Sequence, residues 1–242
     1  MKLKVIGTGS KGNAYLLENE NEALLIECGV NIREIKRALN FNLSKVVGCI
    51  LTHEHGDHAK ALKDVLDCGI NVYSASKTHK ACGTYDHRRA WHVEGLTFDV
   101  GNFKIKAFDV RHDAAEPLGF LINHPETGNV LFLTDTFYCP YTFKNLHNII
   151  IEANFSNEIM KEKLSDMEFL RNRILTSHMS LETAIGFLHA NDLGAVNNIV
   201  LIHLSDGNSH EVMFKKEVEN ATGKTVTVAS NGLEMEMNKT PF

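Results

Sequence analysis

Thr52-His53-Glu54-His55-Gly56-Asp57-His58 gathers four ligand-type side chains, His53, His55, Asp57 and His58, within six residues. His53 and His55 alternate, so an extended backbone turns both imidazoles to the same side. Asp57 and His58 follow where the chain is expected to turn into a helix, and all four side chains can face one point. Imidazole and carboxylate together suit zinc, manganese or iron. The alternative is a solvated histidine-rich loop, but packing has no need of such a cluster between a strand and a helix.

Positioning that cluster falls to the elements around it. Leu3 to Ile6, Ala14 to Leu17 and Ala23 to Ile26 read as strands, the last two joined by the polar turn Asn19-Glu20-Asn21-Glu22. Ile32, Ile35 and Leu39 keep helical spacing, and Val46 to Leu51 is an apolar run fit for a buried strand. Ala61, Leu62, Val65 and Leu66 predict one helix over His58 to Leu66, and Asn71-Val72-Tyr73 a further strand. The middle is strand-rich: Leu96 to Val100, Phe103 to Val110, Gly119 to Ile122, Val130 to Leu133 and Ile149 to Ile151. Two or three helices are expected, roughly over Asn157 to Leu175 and Leu181 to Ala190, with a strand at Ile199 to Ile202, a helix at Glu211 to Asn220, and closing strands at Val226 to Val228 and Leu233 to Met237. Two sheets with helices packed outside would bury these runs. No linker interrupts the 242 residues, so residues 1–242 are expected to form one domain.

With 43% hydrophobic and 23% charged residues, disordered and fibrous classes are set aside. The formal net charge of −5 argues against broad electrostatic docking on nucleic acid, although bound cations would reverse the sign of a site locally. No run approaches the roughly 18 apolar residues of a membrane span, and Met1 to Gly7 reads as a strand instead of a signal peptide, so a cytoplasmic location is expected. The five cysteines are odd in number and none forms a CxxC pair, which disfavours disulfides and thiolate zinc. Thirteen histidines are the compositional outlier.

From the metal motif outward, the sequence resembles the metallo-β-lactamase-fold superfamily along nearly its whole length. Gly9-Ser10-Lys11-Gly12-Asn13, Leu25-Ile26-Glu27-Cys28-Gly29, His53 to His58, His112 to Gly119, Thr134-Asp135, Ser177-His178-Met179-Ser180 and His203-Leu204-Ser205 fall in family order. Within it the sequence is most similar to the YycJ/WalJ-type branch, whose members are regarded as DNA exonucleases. The resemblance implies an αββα sandwich, two mixed sheets flanked by helices. It also implies two divalent metal ions per chain, zinc or manganese with iron possible. His53, His55 and His112 would hold one, Asp57, His58 and His203 the other, and Asp135 would bridge them. Each follows an expected strand, as ligands at one rim of a sheet must. Two such cations about 3.5–4 Å apart generate a bridging hydroxide as nucleophile. His178 resembles the histidine that phosphodiesterase members place beside the leaving group, as general acid or transition-state donor. An exchange of roles between His178 and His203 stays open, with His203 favoured as ligand because it ends the apolar run Ile199 to Ile202. Where the family usually has Asp, this sequence has Glu27, one methylene longer, which puts the support of the metal loop in question.

Ser10, Asn13, Arg173, Ser180 and Asn208 are candidate substrate contacts. Gly7-Thr8-Gly9-Ser10-Lys11-Gly12 fits GxGxxG, but a hairpin is expected to follow where a dinucleotide site needs a helix. The stretch His79 to His92 reads as a solvated basic loop, and Trp91, the sole tryptophan, as core. Lys161, Lys163, Arg171 and Arg173 form either a charged helix face or phosphate contacts. Asp113 could orient a neighbouring imidazole, and Asp206 and Asn208 could form a turn at Gly207.

The expected function is metal-dependent hydrolysis of phosphodiesters in nucleic acid, DNA above RNA. The inserted domain of β-CASP nucleases does not fit between Asp135 and His178. A small-molecule hydrolase for cyclic phosphodiesters, thioesters or lactones is the alternative, and a non-catalytic metal-binding protein a third. The sequence sets no oligomeric state.

Overall fold

A computed structural model describes residues 1–163 and 167–240. The first half runs β1 (Lys2–Gly7), β2 (Ala14–Glu18), β3 (Ala23–Ile26), α1 (Ile32–Ala38), β4 (Val46–Ile50), α2 (Gly56–Ala59), α3 (Leu62–Asp67), β5 (Val72–Ser74), α4 (Ser76–Ala81) and β6 (Ala90–His92). The second runs β7 (Thr97–Val100), β8 (Phe103–Asp109), β9 (Leu118–His124), β10 (Gly128–Leu133), β11 (Leu146–Glu152), α5 (Asn157–Lys163), α6 (Glu168–Ser177), α7 (Leu181–His189), β12 (Asn198–Ile202), α8 (Glu211–Thr222), β13 (Thr225–Val228) and β14 (Glu234–Glu236).

Fourteen strands make two mixed seven-stranded sheets, ordered β14-β1-β2-β3-β4-β5-β6 and β13-β12-β11-β10-β9-β8-β7. Three apolar layers follow from the patterning. Leu3, Val5, Tyr15, Leu17, Leu24 and Ile26 of the first sheet meet Ile105, Phe120, Ile122, Phe132 and Val200 of the second between the sheets. Leu16, Leu25 and Leu51 face the opposite way and pack on Ile35 of α1 and Leu62, Val65 and Leu66 of α3. Leu131, Ile149, Ile151 and Leu201 pack on Leu181, Ala184 and Leu188 of α7 and Phe214 and Val218 of α8. The result is the expected αββα sandwich of the metallo-β-lactamase type. The runs at Val130, Ile149 and Ile199 are apolar on both faces because β10, β11 and β12 are parallel central strands covered on both sides.

The structure corrects three local expectations. The helix over His58 to Leu66 is two helices, because the Ala61 N–H leaves the helical ladder to donate to the Cys28 carbonyl at 2.8 Å. Residues 79–92 are not a plain loop: α4 ends there and β6 closes the edge of the first sheet. Trp91 is not core; it lies on that edge strand, 51% exposed, stacked on Tyr73 at 5.9 Å between ring centroids. The two or three helices expected over Asn157 to Leu175 and Leu181 to Ala190 are α5, α6 and α7, and residues 164–166 lie outside the described residues. No helix among the described residues is long and apolar enough to cross a membrane.

Candidate metal centre

The ends of β1, β3, β4, β8, β10, β11 and β12 open on one rim of the sandwich, where open sheets collect binding groups. Backbone contact sets the depth of the metal loop. Asn13 N–H donates to the Asp57 carbonyl at 2.7 Å, Gly29 N–H to Asn13 at 2.8 Å, and Cys28 N–H to His58 at 2.8 Å. Three loops are thereby stacked, and Gly29 is the layer without room: a Cβ there would lie 1.7 Å from the Asp57 carbonyl oxygen. Gly29→Ala is expected to push the loop outward, costing at least about 1–3 kcal/mol and lowering metal affinity with it. Thermal unfolding and metal titration of the variant check this; wild-type values in both would refute the close packing.

Five histidines and two aspartates from separated segments converge. Donor atoms of His53, His55, His112 and Asp135 lie within 4.8 Å of one another, as do those of Asp57, His58, Asp135 and His203. Asp135 belongs to both groups, as the bridging expectation requires. His55 Nδ1 lies 3.1 Å from both His53 Nε2 and His112 Nε2. A tetrahedral ion with bonds of about 2.0–2.1 Å separates its ligands by roughly 3.3 Å, so this spacing fits a divalent cation. Neither group contains a cysteine, which matches the borderline-hard cations expected.

The remaining ring atoms are held from behind. His112 Nδ1 donates to the Ser177 carbonyl at 2.7 Å, Thr52 Oγ1 is 2.8 Å from His53 Nδ1, and Asn154 Nδ2 is 3.1 Å from His203 Nδ1. Such contacts fix the orientation of a ligating imidazole. Glu27 answers the question raised by its extra methylene. It is fully buried with φ +64°, accepts from Thr52 N–H at 3.3 Å, and brings Oε2 to 3.5 Å from His58 Nδ1. Glu54 ties the two halves of the rim together, accepting from Ala115 N–H at 2.7 Å.

Electrostatics follow from this crowding. Burial disfavours a charged Asp135, yet the His203 and His58 imidazoles hold its carboxyl well below the usual carboxylate range. Burial likewise opposes charge on His203, but Asp135, Asp57 and Glu152 push it up to about 10. His53, buried and surrounded by other imidazoles, is held well below its ordinary value.

His178 stands beside these groups, its Nδ1 2.6 Å from Glu152 Oε1, with Asp135, Glu152, His178 and His203 forming a third cluster. Sequence reasoning passed over Glu152, although it ends the apolar run Ile149-Ile150-Ile151 just as His203 ends Ile199 to Ile202. Its carboxylate also accepts from Thr136 N–H at 3.2 Å and Met179 N–H at 3.1 Å, so it holds the Asp135 and His178 loops together.

A cleft of about 450 Å³ exposes the centre, lined by Ser10, His55, Asp57, His112, Asp135, Arg173, His178 and His203 among others. Of the candidate substrate contacts, Ser10 and Arg173 lie in it; the other three do not. Asn13 is turned inward, 3.2 Å from His58 Nε2 and accepting from Gly9 N–H at 3.0 Å. Ser180 caps α7, accepting from Thr183 N–H at 3.1 Å, and Asn208 accepts Ser156 N–H on its carbonyl at 3.1 Å. Asp113 Oδ1 lies 3.3 Å from His112 Nε2, and Asp206 pairs with Lys11 at 2.9 Å across the rim.

Comparison with known proteins gives the same picture. Residues 7–174 match the family model described as the metallo-beta-lactamase superfamily. The chain is 29% identical over 225 residues to exodeoxyribonuclease WalJ of Streptococcus pneumoniae, covering 86% of this chain and 83% of that one. It is 26% identical over 234 residues to exodeoxyribonuclease YycJ of Bacillus anthracis, covering 90% and 88%. Among solved structures, the metallo-beta-lactamase fold protein YhfI of Bacillus subtilis superposes with a TM-score of 0.76 at 18% identity, covering 97% and 98%.

Proposed function

The chain belongs to the metallo-β-lactamase superfamily, and from that premise we propose that it is a two-metal phosphodiesterase working as a DNA exonuclease. The observation that carries this is the pairing of two donor groups through Asp135 with a Glu152-held His178 at their edge. His53, His55, His112 and Asp135 would hold one divalent cation, and Asp57, His58, Asp135 and His203 the other. Four carboxylates, Glu27, Asp57, Asp135 and Glu152, crowd the centre, so with neutral imidazoles two dications balance their charge. Zinc and manganese suit the donor set best, and iron is compatible. When bound, the pair activates water and offsets charge growing on a phosphoryl oxygen.

The protein groups do the rest. Glu152 occupies His178 Nδ1, leaving Nε2 to carry a proton into the cleft for the departing oxygen. Arg173 offers a fork to a neighbouring phosphate, and Ser10 a hydroxyl. DNA is the favoured substrate because both exonuclease relatives cover most of the chain, and a cytoplasmic location belongs to the same reading.

The test is metal-reconstituted protein on end-labelled single- and double-stranded DNA and RNA, with a thioester and a β-lactam alongside. Expected are DNA products shortened from one end, loss of activity with chelator, and weakening with salt as phosphate contacts are screened. Salt-independent turnover of the thioester or lactam alone would replace this reading with a small-molecule hydrolase.

A further inference from the structure

One wall of the cleft is α6, which contributes Arg173, Ile174 and Ser177. Residues four apart on a helix share a face, so Phe169 and Leu170 continue that wall outward by one turn, about 5.4 Å. Among the described residues nothing covers them. Phe169 is 85% exposed, more than any other large hydrophobic side chain among the described residues, and Leu170 is 40% exposed. Hydrophobic side chains usually leave water, so this ridge asks for a partner.

The surrounding charge narrows the partner. The whole chain carries −5, yet α6 carries Arg171 and Arg173 against one carboxylate, Glu168, and Arg173 lines the cleft. Arg173 is only loosely engaged, with Nε 4.0 Å from Asp113 Oδ2 and most of its side chain in solvent. A partner must therefore present apolar faces and negative charge together. Unpaired nucleotides do so; a duplex hides its base faces in the stack. A second copy of the chain is a poorer match, since a ten-residue helix of roughly 15 Å covers far less than a standard interface of about 800 Å² per partner.

We propose that the α6 ridge seats an unpaired strand leaving the cleft, with Arg173 on the phosphate next to the scissile one and Phe169 stacked on the base beyond. The ridge makes the enzyme selective for single-stranded ends. This rests on the nuclease reading above and adds the substrate class.

Metal-loaded wild type, Phe169→Ala, Phe169→Trp and, as a control for an exposed apolar residue elsewhere, Val212→Ala are compared on a fluorescent deoxythymidine decamer. Affinity is read by anisotropy on a hydrolysis-resistant phosphorothioate version, and kcat and KM on the ordinary one. Phe169→Ala is expected to raise Kd and KM by roughly 5- to 150-fold, the range for one stacked base, with kcat unchanged. Phe169→Trp restores binding, and Val212→Ala matches wild type. Hydrolysis of bis(p-nitrophenyl) phosphate, which is too short to reach the ridge, stays the same in all four. Equal decamer affinity in Phe169→Ala and wild type overturns the proposal, as does an equal loss for duplex DNA. A change from dimer to monomer in sedimentation on Phe169→Ala would assign the ridge to self-association instead. If wild type cleaves neither diester nor decamer, the nuclease reading fails, while anisotropy still decides whether the ridge binds a strand.

Discussion

Asp135→Asn is expected to lower bound metal from two ions per chain to one or fewer and to cut DNA hydrolysis by three orders of magnitude or more. Asp135 is the one carboxylate common to both donor groups, so its loss weakens both together. The charge stabilisation a metal pair gives a phosphoryl transition state is several kcal/mol, and each 1.36 kcal/mol is tenfold in rate. Asparagine is chosen because Asp135 sits at φ +45°, a region Asn tolerates and Ala resists. The backbone is thus preserved and only the charge is tested. The metal-free variant should unfold below the wild-type temperature, since the attraction of the His203 and His58 imidazoles for the Asp135 carboxylate is lost. Elemental analysis with single-turnover kinetics checks this. Two tightly held ions and activity within about tenfold of wild type would show that Asp135 does not bridge.

The second large effect is expected at His178. His178→Ala should reduce kcat by roughly 10²- to 10⁴-fold, the usual share of a positioned general acid, with both metals retained. Burial alone would depress its pKa, but the charge of Glu152 and the bond between them outweigh burial and raise it above the ordinary 6.5. The sign is then fixed. The protonated form is complete below about pH 6.5 and is lost as pH rises through the raised value, so kcat declines on the alkaline side. His178→Ala should flatten that decline, and Glu152→Gln should move it to lower pH, because the anion that sustains the charge is gone. If His178→Ala instead loses an ion while His203→Ala keeps both, the two histidines exchange roles.

Much of this architecture is legible in residue order alone. Runs such as Ile149 to Ile151 and Ile199 to Ile202 announce central strands because three or four successive apolar residues bury side chains on both faces of a sheet. The polar group after each run then marks the rim, which is how Asp135 and His203 stand out. Glu152 obeys the same rule and was passed over because a lone glutamate after a strand is common. The edge was harder. Residues 79–92 are mostly polar, β6 has three residues and one neighbour, and Trp91 finds enough cover against Tyr73 to stay outside the core. Asn13 misled for another reason: glycine-rich loops usually expose their polar members, but Gly12 and Gly29 let this loop press down until the amide points at His58.

Glu27, Asp135 and His203 all have positive φ, at 64°, 45° and 56°. Each costs on the order of 1–3 kcal/mol in a non-glycine residue, against a total stability of about 5–15 kcal/mol. Laboratory evolution or automated redesign that rewards only heat resistance would therefore favour glycine at these three places, and every such gain would dismantle the centre. Libraries built on this scaffold need those positions frozen, for the mutations that look best on a melting curve are the ones that would silence the enzyme.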